Sequence, residues 1–74
     1  MNRAEIRLNI PQQTLMQYYE GGASAVIAET RGGKRIQFPA RHLRQFVGPE
    51  GVVGAFIIEW TDENEFAALR RIAN

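Results

Sequence analysis

The stretch GAFIIEWT, residues 54–61, decides the fold because it has the strongest strand pattern in the chain. Phe56, Ile58 and Trp60 fall on one face of an extended segment, and the other face carries Ala55, Ile57 and Glu59. β-Branched and aromatic residues in this alternation are typical of a strand packed on a core. The stretch therefore predicts a strand whose first face is buried.

A β-hairpin is predicted on the N-terminal side of that strand. The runs ASAVIAET and RGGKRIQF flank Gly32 and Gly33, which accept the backbone angles of a tight turn without steric cost. The predicted strands, residues 24–30 and 34–38, pair antiparallel. Pro39 ends the second strand or marks a sheet edge, because proline cannot donate to a sheet ladder.

The N-terminal part predicts one more strand and one helix. EIRLNI alternates apolar and polar residues, which favours a strand with one buried face. Pro11 suits the first turn of a helix, and the apolar residues after it recur at helical spacing. We predict a helix from about Pro11 to Glu20, stopped by Gly21 or Gly22.

Two segments complete the predicted fold. ARHLRQFV, residues 40–47, predicts a connector with one helical turn that tucks Leu43, Phe46 and Val47 under the sheet. EFAALRRI is predicted as a fifth strand, because an eight-residue terminal helix would be marginal. The predicted class is α+β, mainly β, in one domain over residues 1–74: a small curved antiparallel five-stranded sheet or barrel with one N-terminal helix.

The composition limits the function. A core of 74 residues rarely supplies more than about 3–5 kcal/mol, so a small chain often needs a staple. The chain has no cysteine and one histidine, which removes disulfides and the usual zinc arrangements, so neither metal nor cofactor is predicted. Self-association is the remaining way to stabilise so small a chain. Neither a signal peptide nor a membrane helix is indicated, so the expected location is cytoplasmic.

Basic residues concentrate in RGGKRIQFPARHLRQF, residues 31–46, which holds six basic side chains with His42 included and no acidic one. This cluster either contacts phosphates or covers the solvent side of a small sheet. We favour the solvent interpretation, because the net charge is +1 and no separate aromatic platform for bases is evident. The candidate anion or nucleic-acid residues are Arg31, Lys34, Arg35, Arg41 and Arg44.

The aromatic and imidazole groups that are candidates for a function are Tyr18, Tyr19 and His42. Tyr18 and Tyr19 are adjacent on the predicted helix and cannot both be buried on one side, so one is predicted to anchor a protein partner or a second copy. His42 has no orienting carboxylate or nucleophile near it in sequence, so no catalytic residue is predicted. The chain is expected not to be an enzyme.

The order of the pieces QYYEGGASAV, GKRIQFPARHLRQFV and GVVGAFIIEW resembles the family of short bacterial proteins called domain of unknown function 2835. The resemblance covers Ile6 to Ile72. It rests on Tyr19, Gly21, Gly33, Arg35, Phe38, Pro39, Leu43, Phe46, Gly51, Gly54 and Phe56. It implies a small stand-alone bacterial domain and no particular activity.

The sequence thus leaves two functions open. The first is a non-catalytic interaction or homo-oligomerisation module without membrane attachment. The second is nucleic-acid or anionic-ligand binding through the basic hairpin and connector, which the sequence favours less.

Overall fold

The computed structural model describes residues 1–20 and 25–73, with residues 18–20 described by their backbone only, and in this part the fold has five strands, one α-helix and one 3₁₀ helix. The elements follow the predicted order, and the C-terminal segment is a strand, as predicted. They are β1 (Asn2–Ile10), α1 (Gln12–Glu20), β2 (Ala25–Glu29), β3 (Arg35–Pro39), the 3₁₀ helix (Ala40–Phe46), β4 (Val52–Trp60) and β5 (Phe66–Ala73).

The strand predicted from residues 54–61 is the centre of a three-stranded antiparallel sheet in the order β1-β4-β5. β4 pairs with β1 along nine residues, and Ile6 lies opposite Phe56. On its other edge β4 places Ile58 opposite Leu69 of β5. All four of these side chains are buried, so the alternation in β4 correctly predicted its core face.

The predicted hairpin forms a separate two-stranded sheet, in which β2 and β3 pair antiparallel from Ala25↔Pro39 to Glu29↔Arg35. The prediction of one five-stranded sheet or barrel is therefore wrong: the strands form two sheets and do not close. The hairpin is joined to β1 by an isolated bridge between Ile6 and Thr30, the residue after β2. α1 lies between β1 and β2 in the chain, so they are not neighbours joined by a two-residue hairpin loop.

One core joins the two sheets, α1 and the 3₁₀ helix. Phe56 and Leu43 are fully buried in it, and Leu15 anchors α1. The connector prediction needs one correction, because Val47 is exposed and Ala40 occupies the buried position instead. A 3₁₀ helix has about three residues per turn, so Ala40 and Leu43 lie on the same side. The buried apolar cluster comprises Ile6, Leu8, Leu15, Val26, Ala28, Phe38, Ala40, Leu43, Val52, Phe56, Ile58 and Leu69.

The 3₁₀ helix links the hairpin to the three-stranded sheet by aromatic stacking. The His42 ring stacks on Phe66 of β5 with a centroid distance of 3.7 Å and an interplanar angle of 11°. Phe38, at the end of β3, stacks on the same phenylalanine at 6.3 Å. These contacts place β3 near β5 and set the width of the space between the sheets.

Candidate anion-binding groove

An open groove of about 560 Å³ lies between the two sheets. One wall is formed by the start of β1, the C-terminal end of β4 and the N-terminal end of β5. The other wall is β3. The apolar lining residues are Ala4, Ile36, Phe38, Ile58, Trp60 and Phe66. The polar lining residues are Asn2, Arg3, Thr30, Lys34, Arg35, Gln37 and Asn64.

The turn of the hairpin is fixed beside β1 by backbone hydrogen bonds. The Arg31 amide donates to the carbonyl oxygen of Glu5 at 3.0 Å, next to the bridge between Ile6 and Thr30. Within the turn, the amide of Lys34 donates to the Thr30 hydroxyl at 3.0 Å. The start of β3 is thereby brought close to the N-terminal half of β1.

This arrangement gathers three cations and no carboxylate among the described residues that line the groove. The cations are Arg3 of β1 and Lys34 and Arg35 of the hairpin, and all three side chains are exposed. None of them makes an ion pair with a described residue. A cleft lined by one sign of charge attracts the opposite charge, so the groove favours an anion.

Other cations of the described chain have partners outside the groove. Arg31 lies 3.7 Å from the carboxylate of Glu5. Arg70 pairs with Glu59 at 3.6 Å on the three-stranded sheet. Arg71 donates to the carbonyl oxygen of Phe46 at 3.2 Å. These three cations therefore have contacts elsewhere on the surface.

The structure divides the predicted basic cluster. Lys34 and Arg35 line the groove, whereas Arg31 pairs with Glu5 on a neighbouring surface. Arg41 and Arg44 lie on the exposed side of the 3₁₀ helix and are not among the groove residues. The side chains of the predicted interaction residues, Tyr18 and Tyr19, lie outside the described part of the structure.

Sequence reasoning missed Arg3 and Trp60 as groove residues. Arg3 is far from the basic stretch in sequence, and β1 meets the hairpin at the Ile6–Thr30 bridge and at the Glu5 carbonyl. Trp60 was assigned to the buried face by alternation, but it is partly exposed because it is the last residue of β4. Its alternation signal was correct and its position at the strand end is what exposes it.

His42 lies behind the groove wall rather than in its lining. Burial lowers the pKa of its imidazole below the usual 6.5, and the positive charge of Arg41 lowers it further. The ring is therefore neutral near pH 7 and stacks on Phe66 as an uncharged aromatic group. Its structural contact explains it without a catalytic role.

The family model described as protein of unknown function (DUF2835) matches residues 2–72. The chain belongs to this family. No curated protein and no solved structure matches the chain. Of the positions on which the family resemblance rests, Arg35 and Phe38 line the groove and Phe56 is fully buried.

Over residues 1–20 and 25–73, no three His, Asp or Glu side chains are grouped so that they could hold a metal ion. The described helices include none with the length and apolar character needed to cross a membrane.

Proposed function

We propose that this protein is a non-catalytic binding module that holds an anionic ligand in the groove between its two sheets. The observation that carries the proposal is that Arg3, Lys34 and Arg35 line one groove that has no lining carboxylate among the described residues. Lysine and arginine left without carboxylate partners keep their charge available for a ligand.

The shape of the groove supports a ligand of small-molecule size. Its volume of about 560 Å³ falls within the roughly 300–1,000 Å³ of typical ligand pockets. Its lining combines apolar residues such as Ile36 and Ile58 with a few polar groups. The apolar residues supply contact area, and the cations determine which ligands enter.

The chemistry of the lining supports binding rather than catalysis. Among the described lining residues, the titratable side chains are the three cations, and arginine does not act as a base at neutral pH. Thr30 is a weak nucleophile whose hydroxyl accepts a hydrogen bond from the backbone amide of Lys34, and the histidine lies outside the lining.

Homo-oligomerisation remains a prediction beside this proposal. Large apolar side chains are exposed, but they belong to different elements of the fold. They are Met1, Met16, Ile27, Val47 and Ile72. The groove has defined charge and shape, so anion binding is the better supported form of a binding module.

The proposal is tested by titrating the protein with inorganic tripolyphosphate in a calorimeter. The double variant Lys34→Gln/Arg35→Gln removes two groove charges, and Arg7→Gln/Arg41→Gln removes two exposed charges outside the groove. A hydrogen bond to a charged group contributes about 1.5–3 kcal/mol, so we expect the groove variant to bind at least about tenfold more weakly. The control should bind within about twofold of the parent, because distant exposed charges are screened by salt.

Equal weakening by the two double variants would show that net charge, not the groove, attracts the anion. Absence of binding heat with the parent protein at millimolar tripolyphosphate would overturn the proposal. Circular dichroism of each variant establishes that a lost affinity is not a lost fold.

A further inference from the structure

We infer that the ligand is a nucleotide unit, either free or within a single strand of nucleic acid, whose base stacks on Trp60 while its phosphate contacts the groove cations. This inference rests on the proposed anion binding and adds the second half of the ligand. That half is the base, and it is inferred from the aromatic residues that line the groove.

Trp60 is the groove aromatic whose ring is not covered by another ring. Phe66 is stacked by His42 at 3.7 Å, and Phe38 is buried. Among the described residues, no ring stacks on Trp60 and none accepts a hydrogen bond from its indole N–H. The Trp60 side chain packs against the core and is partly exposed, and the exposed part is where a flat ligand group would stack.

The charges around the groove orient such a ligand. Trp60 pairs with Asn2 at one end of β1, and the Asn2 amide donates to Asp62 at 3.1 Å. The acidic β4–β5 turn is therefore beside the tryptophan and disfavours a phosphate there. The hairpin cations approach β1 near Ile6, four residues away, or about 13 Å along the strand.

This polarity separates a site for a neutral ring from a site for a phosphate. Lys34 and Arg35 lie on the hairpin that meets β1 near Ile6, and Arg3 follows Asn2 at the other end of this part of β1. Gln37 and Asn64 also line the groove, and their side-chain amides both donate and accept hydrogen bonds. Such groups suit the polar edge of a base.

Trp60 is the only tryptophan in the chain, so its fluorescence reports directly on the groove. We expect saturable quenching by thymidine 5′-monophosphate, by an oligothymidylate of about eight nucleotides, or by both. Quenching by the mononucleotide with equal affinity identifies a free nucleotide as the ligand. Quenching by the oligonucleotide alone identifies a single strand.

Two substitutions test stacking by the anisotropy of labelled oligothymidylate, or of a labelled mononucleotide if only that quenches. Trp60→Leu should weaken binding by about 5- to 150-fold, which corresponds to a stacking contribution of about 1–3 kcal/mol. Trp60→Phe keeps an aromatic face and should bind within about fivefold of the parent, because stacking does not require an indole. If a strand binds, three phosphate contacts predict a slope near −2 in the logarithmic dependence of affinity on salt.

The result that overturns the inference is distinguishable from failure of the anion proposal. Tripolyphosphate binding in the calorimeter without saturable quenching by either nucleotide probe would refute base stacking and leave anion binding intact. The same conclusion follows if Trp60→Leu binds the labelled nucleotide as tightly as the parent. If tripolyphosphate, mononucleotide and oligonucleotide all fail to bind, both proposals are wrong.

Discussion

Replacing Gly51 with alanine should strongly destabilise the protein. The backbone φ of Gly51 is +96°, and a Cβ built there overlaps the carbonyl oxygen of Ile10 and lies 2.9 Å from the backbone nitrogen of Gln12. Both neighbours are backbone atoms at the junction of β1 and α1, so no side chain can turn away. The positive φ costs about 1–2 kcal/mol, and the backbone shift that relieves the overlap costs about 1–3 kcal/mol more.

Those costs add to about 2–5 kcal/mol, which is comparable to the roughly 3–5 kcal/mol that a core of this size supplies. Variants at two other glycines allow the cost of backbone strain to be measured apart from the cost of steric overlap. Gly33 has a φ of +90° and no atom within 4 Å of its Cβ position, so Gly33→Ala should lose only the strain. Gly32→Ala meets Thr30 Oγ1 at an ordinary 3.9 Å and should leave stability unchanged or raise it by up to about 1 kcal/mol.

Urea unfolding followed by circular dichroism ranks the variants. We expect Gly32→Ala to match or exceed the parent, Gly33→Ala to be less stable, and Gly51→Ala to be the least stable. At roughly 4–8 °C per kcal/mol, the Gly33 variant should melt about 4–16 °C below the parent. A Gly51→Ala protein as stable as Gly33→Ala would refute the close packing of this loop on the β1–α1 junction.

Three further predictions concern other parts of the fold. Arg71→Ala should lower the free energy of unfolding in urea by about 1–2 kcal/mol, because its guanidinium lies over two phenylalanine rings and donates to a carbonyl oxygen. Arg70→Ala loses only an exposed ion pair and should lower it by under about 0.5 kcal/mol. Equal losses in the two variants would contradict this. Because folding lowers the pKa of His42, the unfolded state binds the proton more readily than the folded state. The free energy of unfolding should therefore fall as the pH drops through the unfolded-state pKa of about 6.5. His42→Phe should show a smaller fall. Tyr18→Ala or Tyr19→Ala should lower the mass measured by light scattering or abolish partner capture; if both variants keep both properties, these tyrosines are not an interaction surface.

Local patterns in the sequence predicted the elements of the fold well, because alternation and turn chemistry act between near neighbours. The alternation around Phe56 and Ile58 identified the face of β4 that is buried. Gly32 and Gly33 identified the hairpin, and Gly33 has the positive φ that such turns use. The choice of strand for the C-terminal segment was correct because β4 offers it an edge to pair with.

The division into two sheets could not be predicted from these patterns. It depends on the hairpin joining β1 by an isolated bridge, which is a contact between residues far apart in sequence. The same limit explains the site. Periodicity placed Arg41 and Arg44 on a helical turn but could not predict which surface that turn would face. Nothing in the basic stretch indicated that Arg3 would line the same groove as Lys34.

The measurement that most directly tests anion binding between the sheets is a nitrogen-labelled NMR titration with tripolyphosphate, which follows every backbone amide and the one indole N–H. We expect the largest shifts at Arg3, Lys34 and Arg35, which line the groove. Shifts confined to Arg41 and Arg44, or no shift at saturating anion, would contradict the account.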